Sequence, residues 1–326
     1  MVNLSKAIVF DMDETLGHFY GIGLLLEGIE RLLHKKLSKL EIFNIFDLYN
    51  DIFRPKILEM LRIINKLKTK HKVKTILYTN NMGPREWTIA IKEYIEYKLK
   101  FKIFDKIISA WKVGGEIIEK CRTGYGKKYI DLLNCANLTR DTKILFFDDQ
   151  SHHAMFDLKV DYHVVPPYYS FSSPIKIVET FIKSNLTIIK KLNKTGHNKK
   201  FIKEFLKGII RSGFYEIRTD MYKNKFTKEY YNKYSTNMLK YIKLFILDKT
   251  TAMVSRLDSP FTRKTDKRPL KGTLTSNKTT RTYKLSLRKT KRRKLKIRKQ
   301  NKKIKKKKVT KKRNKKTHNK RKLKLK

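Results

Sequence analysis

The chain is predicted to be an α/β protein with a doubly wound parallel sheet. Short apolar runs alternate along it with stretches of helical periodicity, an order that produces right-handed crossovers and a sheet covered on both faces. Three of the five apolar runs stop abruptly at polar residues. In an open parallel sheet the carboxyl edge of the strands is where ligands bind.

The first run, KAIVF (6–10), reads as a buried strand ending at Asp11. Helical spacing follows in GLLLEGIERLLHKKL, then an aromatic segment, IFNIFDLYNDIF, in what is expected to be a small insert after the first strand. Arg54-Pro55 is expected to open the helix KILEMLRIINKLK, with proline in the first turn, where its missing N–H costs nothing. KVKTILYT (72–79) is the second strand and ends at Thr79-Asn80. After the helix EWTIAIKEYIEYKL, the segment FDKIISAW (104–111) reads as the third strand. Gly124 and Gly126 precede a further helix, KKYIDLL. KILFF (143–147) is the fourth strand, ending at Asp148-Asp149, and VDYHVV (160–165) is the fifth, closed by Pro166-Pro167. Helical spacing continues over 175–248, where the tyrosines of 215–241 are expected to pack in a core. These patterns divide the chain into a sheet domain (1–185), a helical extension (186–255) and a disordered basic tail (256–326).

The division rests on charge as well as periodicity. Residues 261–326 hold 33 lysines and arginines against one acid, Asp266. Such a segment has almost nothing apolar to bury and is expected to be disordered alone. It should bind polyanions by counterion release, and KRRKLKIRKQNKK (291–303) would serve as a nuclear localisation signal. The front 260 residues are milder, with 46 basic against 28 acidic side chains. Cys121 and Cys135 lack CxxC spacing and a His cluster, which suits two buried thiols in a reducing compartment rather than a disulfide or zinc site. Charges interrupt every apolar run, as in YIKLFILDK, so no membrane span is expected. The three carboxylates Asp11, Asp13 and Glu14 argue against a signal peptide. A nuclear or cytoplasmic protein is expected.

The chemistry is concentrated in FDMDETLGHF (10–19). Side chains at i and i+2 of an extended segment share a face, so Asp11 and Asp13 can serve one reaction. A carboxylate that attacks phosphorus needs to be ionised and close to a cation, and a second acid must protonate the leaving oxygen and then activate water. Asp11 is the candidate nucleophile and Asp13 the general acid/base. Thr79 could donate its hydroxyl to a phosphoryl oxygen, with Asn80 beside it, and Lys127 could neutralise charge developing there. Asp148, with Asp11 and the Asp13 segment, could complete an all-oxygen magnesium site. Lys128 rivals Lys127 for the lysine role. Asp149 is read as a helix N-cap in preference to a residue that holds a metal ligand in place, and His152 and His153 as residues of an exposed turn in preference to ligands.

FDMDETLGHF, Thr79, Lys127 and FFDDQ, in that order, resemble the four signature motifs of the haloacid dehalogenase (HAD) superfamily. DMDETL is similar to the form found in phosphatases of the RNA polymerase C-terminal domain and their nuclear LIM-interactor relatives. Arg54-Pro55, Tyr125 to Lys127 and VVPPYY (164–169) agree with that subgroup, and the similarity covers residues 5–185. Two motifs depart from the subgroup: TNN (79–81) has no small residue after the threonine, and Asp148-Asp149 stands where Asp-Asn is usual. The interval from lysine to Asp148 is also longer. The resemblance implies a Rossmannoid, HAD-like sheet and a Mg²⁺-dependent protein Ser/Thr phosphatase working through an aspartyl phosphate. Asp11 and Asp13 would be catalytic, Thr79 and Lys127 would hold the phosphoryl group, and Asp148 would bind the ion. A phosphoprotein such as the RNA polymerase C-terminal domain would be the partner, with nucleic acid bound through 261–326. The alternatives are a nucleic-acid-end phosphatase and a non-catalytic nucleic-acid-binding protein on the same fold.

Overall fold

A computed structural model describes residues 5–170, 172–194, 196–214 and 226–248. The basic segment 261–326, and with it the expected disorder and nucleic-acid contacts, lies outside them.

Five strands form one parallel sheet: β1 (Lys6–Phe10), β2 (Val73–Tyr78), β3 (Lys106–Ile108), β6 (Lys143–Asp148) and β7 (Val160–Val164), in the order β3-β2-β1-β6-β7. Two short strands, β4 (Lys112–Val113) and β5 (Glu116–Ile117), make a separate antiparallel hairpin that the sequence did not announce. Its turn uses Gly114 and Gly115 at φ of 62° and 100°, where a side chain would strain the backbone. The third strand is much shorter than 104–111. Asp105 stands before its start, where its carboxylate accepts from Thr75 N, and beyond its end Trp111 O accepts from Ile118 N at the base of the hairpin.

Alternation along the strands sets the two faces. Ile8, Phe10, Leu77, Leu145 and Phe147 point into the larger core. It is built with α1 (Tyr20–Leu33), α2 (Lys39–Phe46), α3 (Ile57–Lys68) and α4 (Arg85–Leu99), and continues through α6 (Pro174–Lys183), α7 (Thr187–Lys194), α8 (Lys199–Phe214) and α9 (Lys228–Ile246). Ala7, Val9, Ile76, Ile144 and Phe146 point the other way, against α5 (Tyr129–Ala136) and Met155. The chain steps outward through β1, β2 and β3 and then returns to place β6 on the far side of β1. Crossovers of one hand put their helices on opposite faces when the direction of travel reverses.

α8 packs on α1 and α6, and α9 on α3, so these helices share the apolar core of the sheet. Lys6 Nζ reaches Ile246 O at 2.8 Å and ties the end of α9 to the start of β1. Among the described residues no helix is long and apolar enough to cross a membrane.

Three local expectations are corrected. Pro55 lies outside the helix it was expected to open: α3 begins at Ile57, after Lys56 in a left-handed conformation (φ 63°). Asp149 caps no helix, because the turn after β6 leads instead to a single 3-10 turn, His153–Met155, capped by His152. Cys121 and Cys135 are joined as a disulfide rather than standing as free thiols. Spacing along the chain could not reveal that the segment before Arg122 folds against the end of α5.

Candidate active site

The chain leaves β1 and β6 in opposite directions, which opens a crevice at their carboxyl ends. Phe10 pairs with both Leu77 and Phe147, so the residues following β1, β2 and β6 emerge at one edge. Asp11 N donates to Phe147 O at 2.9 Å and carries the pairing one step past the strand. The apolar pattern thus delivers Asp11 and Asp148 to a common level, with Thr79 one residue further along the neighbouring strand. Met12, between the two aspartates, is fully buried and anchors their segment.

Lys127 supplies the cation. Its Nζ lies 2.5 Å from Asp11 Oδ1 and 2.7 Å from Asp148 Oδ2, and its side chain is 2 % exposed. Lys128 points outward, where its Nζ meets Thr123 Oγ1 at 2.8 Å, so of the two lysines only Lys127 enters the crevice. Burial opposes its charge, but the Asp11 and Asp148 carboxylates outweigh that and hold its pKa above the ordinary lysine value.

Asp149 joins Asp11 and Asp148 in a cluster to which each offers one carboxylate oxygen within 4.8 Å of the other two. Asp13, expected among the metal ligands, is not in that set; its Oδ2 instead accepts from Asn81 Nδ2 at 2.7 Å. Burial pushes the Asp11 carboxyl up to about 6, with Lys127 pulling it back and Asp148 adding to the rise. Burial raises Asp149 to about 8, with help from Asp11 and Asp148. Asp13 is raised to about 7, mainly by burial and against the pull of the Asn81 hydrogen bond. The site therefore holds more negative charge than Lys127 alone offsets. Three converging carboxylates form an oxygen donor set that a hard divalent cation could occupy.

Thr79 is buried, donates its N–H to Ile108 O at 2.9 Å, and accepts from Asn81 N through Oγ1 at 3.0 Å. Asn80 does not share its direction. Its Oδ1 accepts from Arg122 Nη2 at 2.7 Å. His152 was expected in an exposed turn, yet it is half-buried with Nε2 3.6 Å from Asp148 Oδ2, while His153 is exposed. Burial, with Lys127 and Arg122 nearby, lowers the His152 pKa to about 4 and keeps the ring neutral near pH 7.

Two buried arginines hold the frame. Arg54 donates from Nε to Thr15 O (2.6 Å) and from Nη2 to Glu14 O and Pro166 O (both 2.7 Å). It joins the loop after Asp13 to the segment after β7, with Tyr168 and Tyr231 rings beside its guanidinium at 5.7 and 5.9 Å. Arg122 stacks 4.9 Å from the Tyr78 ring. Its Nη1 donates to Thr79 O and Ser109 O, and its Nη2 to Tyr125 O and Gly126 O as well as to Asn80. Arg122 thus fixes both the loop carrying Thr79 and the loop leading to Lys127. No spacing signal marks it in a lysine- and arginine-rich chain. Asn81 had a faint signal, as the second asparagine of TNN (79–81).

No family model, curated protein or solved structure matches the chain.

Proposed function

We propose that this chain is a Mg²⁺-dependent phosphomonoester hydrolase of the HAD type, and that its substrates are phosphoserine or phosphothreonine side chains of a protein. The observation that carries the reading is Lys127 bridging Asp11 and Asp148 within a cluster of buried carboxylates at the sheet's switch point. A buried lysine held between two aspartates can meet a phosphoryl dianion, given a divalent ion to offset the carboxylates. Resemblance of DMDETL to the C-terminal-domain phosphatases supports the protein substrate by analogy.

In the first half-reaction an Asp11 carboxylate oxygen bonds to phosphorus as the bond from phosphorus to the ester oxygen breaks. That oxygen takes the Asp13 proton and leaves as the alcohol. In the second, water adds to phosphorus, its proton passes to Asp13, and the bond to Asp11 breaks with release of phosphate. Lys127 and the Thr79 hydroxyl hold the equatorial oxygens. Asp11 and Asp148, with Asp149 beside them, would hold Mg²⁺, which would offset the charge of substrate and carboxylates.

The test is release of phosphate from a phosphoserine peptide with Mg²⁺ by wild type and Asp11→Asn. Loss of at least about 10³-fold is expected, since removing a nucleophile leaves only binding and electrostatic assistance. Equal rates would eliminate catalysis at this site. End-phosphorylated oligonucleotides, assayed beside the peptide, distinguish the protein substrate from a nucleic-acid end.

A further inference from the structure

We propose that Asn81 is a positioning residue for proton transfer by Asp13, a role that rests on the phosphohydrolase reading above and adds a residue to it. Asn81 makes three fixed hydrogen bonds. Its Oδ1 accepts from Gly83 N at 2.8 Å, its Nδ2 donates to Asp13 Oδ2 at 2.7 Å, and its own N–H donates to Thr79 Oγ1 at 3.0 Å. A backbone N–H can only donate, so Gly83 fixes which end of the amide is oxygen, and the nitrogen end has to face Asp13. A Cβ at Gly83 would come within 2.9 Å of Asn81 Oδ1, so the glycine keeps room for that contact.

Two consequences follow for the reaction. With a donor already on Asp13 Oδ2, the proton that passes to the leaving oxygen is confined to Oδ1, and the carboxyl is held in one rotation. Because the Asn81 N–H occupies a lone pair of the Thr79 hydroxyl, that hydroxyl keeps its hydrogen for a phosphoryl oxygen. Asn81 touches neither phosphorus nor the leaving group. It acts through Asp13, and in kcat/KM, which reports the first half-reaction, its contribution should matter only where the leaving oxygen needs a proton.

That condition supplies a readout which general loosening of the loop would not move. The full chain is assayed with Mg²⁺ on phenyl phosphate, whose leaving group needs protonation, and on p-nitrophenyl phosphate, whose leaving group barely does. Asn81→Ala is expected to lose about 10²-fold in kcat/KM on phenyl phosphate and less than about threefold on p-nitrophenyl phosphate. Asn81→Asp keeps the shape and the Gly83 contact but cannot donate, and it is expected to show the same selectivity. In an Asp13→Asn background the Asn81→Ala change should add nothing on either ester. Equal losses on both esters in both variants, or losses additive with Asp13→Asn, would overturn the assignment while leaving the phosphatase reading intact. Wild-type protein that releases phosphate from neither ester, or does so independently of Asp11, would overturn both.

Discussion

Lys127 shows how one side chain can govern a site. Its ammonium is buried between Asp11 and Asp148, and taking a charge out of water is tolerable only with partners at this range. Lys127→Met leaves the two carboxylates facing each other and is expected to cost about 3 kcal/mol in urea unfolding without divalent ions. Mg²⁺ should raise the Tm of this variant more than that of wild type, because the ion replaces the missing charge. The aspartates bear on pH. The first half-reaction needs Asp11 ionised and Asp13 protonated, and these groups titrate at about 6 and about 7. At low Mg²⁺ the kcat/KM profile should therefore rise through the lower value and fall above the higher one, and raising Mg²⁺ should move the acid limb to lower pH. Asp13→Asn should remove the basic limb.

At the scale of elements, the catalytic loop is held by contacts that no single element supplies. Arg54 draws together the carbonyls of Glu14, Thr15 and Pro166, which belong to segments after β1 and after β7. Glu14 sits in the left-handed region at φ 55°, and Gly17 approaches so closely that a Cβ would meet Ile52 O at 2.4 Å. Arg54→Met would leave three carbonyls short of a donor and is expected to lower stability by about 3 kcal/mol, read by urea denaturation. The sequence singled out Arg54 only as a neighbour of Pro55. Its guanidinium contacts cross 39, 40 and 112 residues of chain, and nothing local encodes them. The disulfide between Cys121 and Cys135 escaped for the same reason.

At the scale of the whole molecule, the buried carboxylates make stability depend on pH. In the unfolded chain these aspartates titrate near 3.8, whereas Asp11, Asp13 and Asp149 hold their protons to about 6, 7 and 8 in the fold. Between those limits the native protein binds more protons than the unfolded chain, so stability falls as pH rises from about 4 to about 8. Thermal melts of metal-free protein should show that decline, and Asp149→Asn should make it shallower. The parallel sheet was legible in outline because apolar runs alternate with helical stretches and crossovers have one hand; its strand order was not. The length of β3, the β4–β5 hairpin and the packing of α8 and α9 on α1 and α3 were not, because hydrophobic periodicity reports which face is apolar and not which partner covers it.

What the sequence determined alone was the chemistry available: two aspartates sharing a face after a buried strand, an Asp pair ending another, and a polycationic segment. Those are local matters, set by alternation and charge along a few residues. The fold decided which groups meet. Lys127 enters the crevice where Lys128 does not, Asn81 reaches Asp13 where Asn80 turns to Arg122, and Asp149 joins the carboxylates rather than capping a helix. Each choice separates neighbours in the chain, and only the paths of the loops between strands and helices fix the direction in which a side chain leaves the backbone.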